Sequence, residues 1–175
     1  MITLLYILAG IVLLVLILGM IAPKTYNVSR SIEISRPKSD VFDNLRFLKN
    51  QDAWSPWNKK DPNMEKKFTG TDGQVGATSY WNGNKDVGEG EQELTKIVDG
   101  ERIESELRFL KPWKSTSDAY LTTEEIDAST TRVTWGFSGK NKFPMSIMML
   151  FMNMDKMVGK DFEEGLSSLK QTLEK

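Results

Sequence analysis

Residues 2 to 22 carry no charged side chain, and all 23 Lys and Arg and all 24 Asp and Glu lie beyond them. A run of about 20 such residues, rising 1.5 Å per residue, crosses roughly 30 Å of hydrocarbon as a single helix. A secretory leader would show a basic n-region, a shorter apolar stretch and small residues before its cut. Here nothing basic precedes the run, and Met20 and Ala22 make a poor cleavage pair. The run therefore reads as a retained transmembrane anchor over residues 1–23, followed by one domain over residues 24–175. About 150 residues suit one domain and not two. Lys24, Arg30, Arg36 and Lys38 follow the span, so the positive-inside bias predicts a single-pass protein with its domain on the cytoplasmic side. Almost no linker separates the span from the strand pattern that begins at Tyr26, which holds the domain close to the bilayer.

The charge balance of −1 gives no electrostatic footprint for nucleic acid. Zero cysteines exclude disulfides, thiolate metal sites and cysteine nucleophiles, and zero histidines remove the commonest general base and zinc ligand. No catalytic constellation, metal site or cofactor motif is expected. Gly88-Glu89-Gly90 is not followed by a lysine–serine pair and opens no helix, so it marks a bend in a curved strand rather than a phosphate loop. Glu89, Glu91 and Glu93 share one strand face, which reads as the solvated outer face.

Alternating apolar residues predict strands over 26–34, 64–68, 78–81, 87–98, 103–109, 119–126 and 131–137, separated by Gly-, Asn- and Asp-rich turns. Pro37, Ser39 and Asp40 open a short helix through Leu48, and Trp54-Ser55-Pro56-Trp57 forms a second short turn. The last element changes period. Met148, Phe151, Met154, Val158, Phe162, Leu166, Leu169 and Leu173 fall at steps of three and four, which predicts one long helix from about Met145 to Leu173. An alternating sheet has one apolar face to cover, and this helix is the cover the chain provides.

Several pieces carry a resemblance: Arg30 to Ile34 entering Pro37 to Phe42; Trp54 to Trp57 with Asp61-Pro62; Gly73 to Gly76 leading into Tyr80-Trp81; Gly88-Glu89-Gly90; and Gly159 to Leu166 with Leu169-Lys170. Together they resemble the START-like superfamily with the helix-grip fold (birch-pollen-allergen-like, SRPBCC), in its bacterial polyketide cyclase/dehydrase-like branch, over residues 24–175. The resemblance implies an α+β architecture in which a curved antiparallel sheet grips the C-terminal helix around an apolar cavity. The expected lining is Trp81, Leu107, Phe109, Tyr120, Trp135 and Phe137 from the strands, with Met148, Met152 and Phe162 from the helix. Each of these taken singly reads first as ordinary core packing, and the expectation concerns the cavity as a whole.

Six of the nine methionines fall between Met145 and Met157, a group that suits either a pocket accepting variable apolar shapes or simple gap-filling. Lys111-Pro112-Trp113-Lys114 and Lys140 to Pro144 each set an aromatic among lysines. Trp113, Lys114 and Phe143 are therefore candidates for membrane contact, the alternative being two exposed hairpin ends. Trp54 and Trp57 are expected to plug an end of the sheet. The function these features predict is non-catalytic: a membrane-tethered domain binding a small lipid-like or isoprenoid-like molecule. The alternatives are a polyketide cyclase/dehydratase-like enzyme and a membrane-anchored interaction module whose cavity is filled by its own side chains.

Overall fold

The computed structural model describes residues 2–175, so the first residue of the expected 1–23 anchor lies outside it. Helix α1, Ile2–Ile21, is long and apolar enough to cross a membrane, and none of its residues is buried against the rest of the chain. Strand β1, Thr25–Ile34, follows after three residues. Helix α2 (Lys38–Leu45), a 3-10 turn (Leu48–Ala53) and helix α3 (Pro56–Lys60) come next. Strands β2 (Glu65–Thr69), β3 (Thr78–Asn82), β4 (Glu89–Val98), β5 (Arg102–Lys111), β6 (Ser115–Asp127) and β7 (Thr130–Lys140) then run as a meander. All seven strands form one antiparallel sheet in the order β1-β7-β6-β5-β4-β3-β2.

The long C-terminal helix is shorter than its apolar stripe predicts. Met145–Met148 forms a single helical turn, α4, and the long helix α5 spans Met154–Leu173. Asn153 ends the interval between them. Its Oδ1 accepts the Lys156 N–H at 3.0 Å, and Asp155 follows in the first turn. A side chain that satisfies an orphan N–H in this way competes with continued helix, so a cap overrides the three–four periodicity that runs through it. Helix α5 then lies over β1 and β7 rather than across the middle of the sheet.

The concave face is consequently covered unevenly. At one end, Ile34, Val41, Phe42, Leu45, Leu94, Ile103, Leu121, Val133, Leu166 and Leu169 form a sealed core under α2 and the C-terminal half of α5. At the other end, Val28, Phe137 and Phe162 form a smaller cluster that leaves β3, β4 and β5 uncovered. The convex face is held by charge. Arg108 donates to Glu91 (2.6 Å), Glu93 (2.7 Å) and Glu106 (2.6 Å), so the glutamates of β4 face outward and are paired across the strand.

Candidate functional site

A cavity of about 1130 Å³ occupies the concave side between the sheet and the N-terminal half of α5. This lies just above the ordinary range of ligand pockets, about 300–1,000 Å³, and the interior is open rather than filled by the chain's own side chains. Its apolar wall is aromatic. Trp135 stacks on Phe162 with centroids 4.2 Å apart, and Trp54 and Trp57 meet Trp135 edge-on at 5.1 and 5.6 Å. Phe109 meets both Trp81 and Phe137 edge-on, at 6.1 and 6.3 Å. The rings fit because glycines face them: a Cβ on Gly90 would sit 2.6 Å from Trp81, and one on Gly165 would sit 2.7 Å from Trp135.

Trp81, Leu107, Phe109, Trp135, Phe137 and Phe162 all line this space. Three of the expected residues do not serve as supposed. Tyr120 borders the cavity, but its neighbours on β6, Ala119 and Leu121, are the inward ones. Its ring lies on the convex face, against Gly136 and under the Arg102 guanidinium, 4.2 Å from the ring centroid. Met148 is exposed on α4, and Met152 sits in the turn before Asn153, where it lines a separate shallow groove beside Pro23 and Tyr26. Both were placed inward by assuming an unbroken helix. Met145, Met149, Met154 and Met157 reach the cavity instead. Trp54 and Trp57 plug the aromatic end and line the cavity at once.

The sequence reading also missed the polar residues of the concave face. Gln92 Nε2 donates to Ser105 Oγ at 3.1 Å, and the Tyr26 and Ser117 hydroxyls lie 2.6 Å apart. Gly139 has no side chain, which lets the Tyr26 ring cross β7 to reach Ser117. Burial pushes the Tyr26 hydroxyl above its ordinary pKa of 10.0, against a smaller opposing effect of the Ser117 hydrogen bond. Lys66 Nζ donates to Asp52 Oδ1 (2.7 Å) and Asn58 Oδ1 (2.6 Å), and Asp161 is held by Lys60 at 2.7 Å. In strand alternation Gln92, Ser105 and Ser117 share the face of Leu94, Leu107 and Phe109, a signal that was present in the sequence but reads as polar interruption rather than lining.

The mouth is built from the β5–β6 hairpin and the segment from Lys140 to Met149, with Trp113, Lys114, Lys140 and Lys142 on its rim. It lies beside the end of α1. A Cβ on Gly19 would sit 3.2 Å from the Phe143 ring, Asn141 Nδ2 donates to the Pro23 carbonyl at 3.1 Å, and Asn141 N–H donates to that of Lys24 at 2.8 Å. Trp113 (59% exposed), Phe143 (60%) and Phe151 (81%) are uncovered at this end.

Arg30 fastens the helix to the sheet near this end. Its Nη1 and Nη2 donate to the two Asp155 oxygens at 2.8 and 2.9 Å, and its Nε donates to Glu163 at 2.7 Å. The Arg30 hydrogen bonds hold the Asp155 carboxyl below its ordinary value of 3.8.

Residues 25–174 match the family described as polyketide cyclase / dehydrase and lipid transport. No curated protein matches the chain. The fold is shared with a protein from Nitrosospira multiformis at 19% identity and a TM-score of 0.62, covering 85% of this chain and 96% of that one. Ara h 8.0201 is similar at 9% identity and a TM-score of 0.56, covering 86% and 95% of the two chains. Aha1 from Colwellia psychrerythraea, solved as a dimer, is similar at 18% identity and a TM-score of 0.54, covering 85% and 96%. Likeness at these identities speaks for the fold alone, whereas the family match spans nearly the whole domain: the chain belongs to the polyketide cyclase/dehydrase and lipid-transport family, with the helix-grip architecture of the START-like superfamily.

Proposed function

We propose that this protein is a membrane-tethered carrier or receptor that takes a small lipid-like or isoprenoid-like molecule from the bilayer beside it. The supporting observation is a single juxtaposition: the open mouth of a 1130 Å³ aromatic cavity lies against the last turn of α1, the one helix among the described residues apolar enough to span a membrane. With α1 in the bilayer, the Asn141 hydrogen bonds to Pro23 and Lys24 orient the mouth toward the headgroups. Trp113 and Phe143 then sit at interfacial depth, with Lys114, Lys140 and Lys142 close enough to meet anionic lipid. The basic residues after the span favour a cytoplasmic domain by the positive-inside rule. Transfer of the guest's apolar surface into the cavity supplies about 25 cal/mol per Å². Asp52 and Asp161, which border the cavity, are each committed to a lysine, which favours carriage over reaction.

The test is mass spectrometry of lipid extracts from the full chain isolated in native membrane discs, beside a variant whose cavity is blocked by Leu107→Trp. A molecule enriched in the wild type and depleted in the variant identifies the guest class. Identical extracts refute the reading.

A further inference from the structure

The cavity is not uniformly apolar, and most of its polar groups are spent on one another: Tyr26 on Ser117, Lys66 on Asp52 and Asn58, and Asp161 on Lys60. Gln92 and Ser105 are joined at 3.1 Å on β4 and β5, with Ser79 opposite Gln92 in register on β3. Ser105 lies six residues before Lys111, which borders the mouth, so this patch is about 20 Å deep along β5 at 3.3 Å per residue. Between the patch and the rim, the same strands present Leu107, Phe109 and Trp81. Beyond it the chain is closed by the sealed core at Leu94 and Ile103. A polar pair with bonding capacity to spare thus stands at the inner end of a passage whose other polar groups are already paired.

The bonding capacity of the patch defines what fits it. Gln92 spends one N–H on Ser105, which leaves its second N–H, its Oε1 and the Ser105 hydroxyl hydrogen. Among the described residues these meet no other protein partner. A pure hydrocarbon filling the cavity would strip water from them and return nothing. A carboxylate or phosphate seated on this patch would meet no free cation: Lys66 Nζ is held by Asp52 and Asn58 at 2.7 and 2.6 Å, Arg108 is held by three glutamates, and the other lysines that border the cavity stand at its rim. A neutral group that both donates and accepts satisfies every requirement.

Resting on the carrier reading above, we infer that the guest is a single-chain amphiphile with an uncharged hydroxyl- or amide-type head. It enters head first, seats that head on Gln92 and Ser105, and trails its chain past the aromatic walls toward the membrane. This reverses the orientation that the rim lysines would give an anionic lipid, whose head would remain outside.

Four of the five tryptophans, Trp54, Trp57, Trp81 and Trp135, line the cavity, so a Trp113→Phe chain reports on the cavity alone. That full-length chain is placed in phosphatidylcholine nanodiscs and titrated with octadecane, octadecan-1-ol or octadecanoate, each dibrominated at mid-chain to quench tryptophan on contact. The alcohol is expected to reach half-quenching at about one-tenth the mole fraction of the alkane, the factor that two net hydrogen bonds give. Octadecanoate should resemble or trail the alkane. Gln92→Leu with Ser105→Ala should abolish the alcohol's advantage while the alkane still quenches, which also shows that the variant is folded. Equal quenching by alkane and alcohol, preference for octadecanoate, or an advantage that survives the double substitution overturns the inference and leaves the carrier reading standing. Quenching by none of the three overturns both.

Discussion

Ala119 and Ala77 offer a test of vacancy whose sign is the result. Both are buried alanines on the sheet side of the domain, but Ala119 borders the cavity whereas Ala77 belongs to the sealed core. Replacing Ala119 with leucine adds three carbons into open space. At about 0.8 kcal/mol per buried carbon that is worth about 2.4 kcal/mol, and fixing the leucine side chain costs about 0.5–1 kcal/mol. A net stabilisation of about 1.5 kcal/mol remains. At Ala77 the same substitution has no room, and overpacking costs about 1–3 kcal/mol. With a urea m-value of about 2 kcal/mol/M, the midpoint should rise by about 0.7 M for Ala119→Leu and fall by about 0.5–1.5 M for Ala77→Leu. Tryptophan emission of the delipidated full chain, held in a fluorinated surfactant that mixes poorly with hydrocarbon, follows the transition. A resident guest would otherwise stabilise the wild type by mass action and mask the gain. If both substitutions lower the midpoint, the space is not vacant in solution and the carrier reading loses its foundation.

Other outcomes follow from particular contacts. If the rim touches the bilayer, lipids brominated just below the headgroup should quench Trp113 in the full chain, and Lys114→Ala with Lys142→Ala should weaken that quenching as anionic lipid is added; absence of Trp113 quenching removes the interfacial orientation. Asp155 ionises below its ordinary 3.8 in the folded state because Arg30 holds it. Its stabilising contribution is therefore complete above pH 3.8 and disappears as pH falls through the lower folded value. Amide exchange in the first turns of α5 should accelerate over that window, and Asp155→Asn should show the faster exchange already at neutral pH. Gly159→Ala should fail to deliver the roughly 1 kcal/mol that alanine gives over glycine in a helix, because its Cβ would fall 2.2 Å from Arg30 Nη2; the full gain in urea titration would mean that the ion pair is not held. Arg108→Met leaves Glu91, Glu93 and Glu106 facing one another, so the variant's stability should rise with salt more steeply than the wild type's.

The order of elements was legible because its signals are local. Thr131, Val133, Trp135 and Phe137 alternate cleanly with outward residues, and in β7 they all face inward, with Thr131 and Val133 fully buried. Asp99-Gly100 marks the β4–β5 turn, where Gly100 adopts a positive φ of 71°. The apolar lining was legible for the same reason, since a strand's period assigns each residue to a face. Tyr120, expected in the lining, is out of phase with that period: Ala119 and Leu121 on either side occupy the inward positions. The polar floor escaped for the opposite reason. Gln92 and Ser105 obey the alternation but contradict the expectation that inward residues are apolar, and only the three-dimensional gap beneath them explains why a polar pair is tolerated there.

The cavity itself was legible only through resemblance, because a void is set by where cover ends, and here one side chain sets that limit. Had the apolar stripe continued as helix through Met145, nine more residues, or about 13 Å of rod, would extend α5 over the open half of the sheet. Asn153 instead caps the helix at Met154, and the methionine-rich segment folds aside into α4, against the end of α1 and the rim. The mouth thus opens where the hydrogen bond from Lys156 N–H to Asn153 marks the start of the helix. Asn153→Ala removes an interaction worth about 1 kcal/mol and restores a good helix former between two apolar helical segments. Circular dichroism of the full chain should then show helix gained rather than lost, with tryptophan quenching by the dibrominated alkane reduced as the entrance narrows. Helix loss together with undiminished quenching would mean that the cap merely trims the helix end and that the opening has another cause.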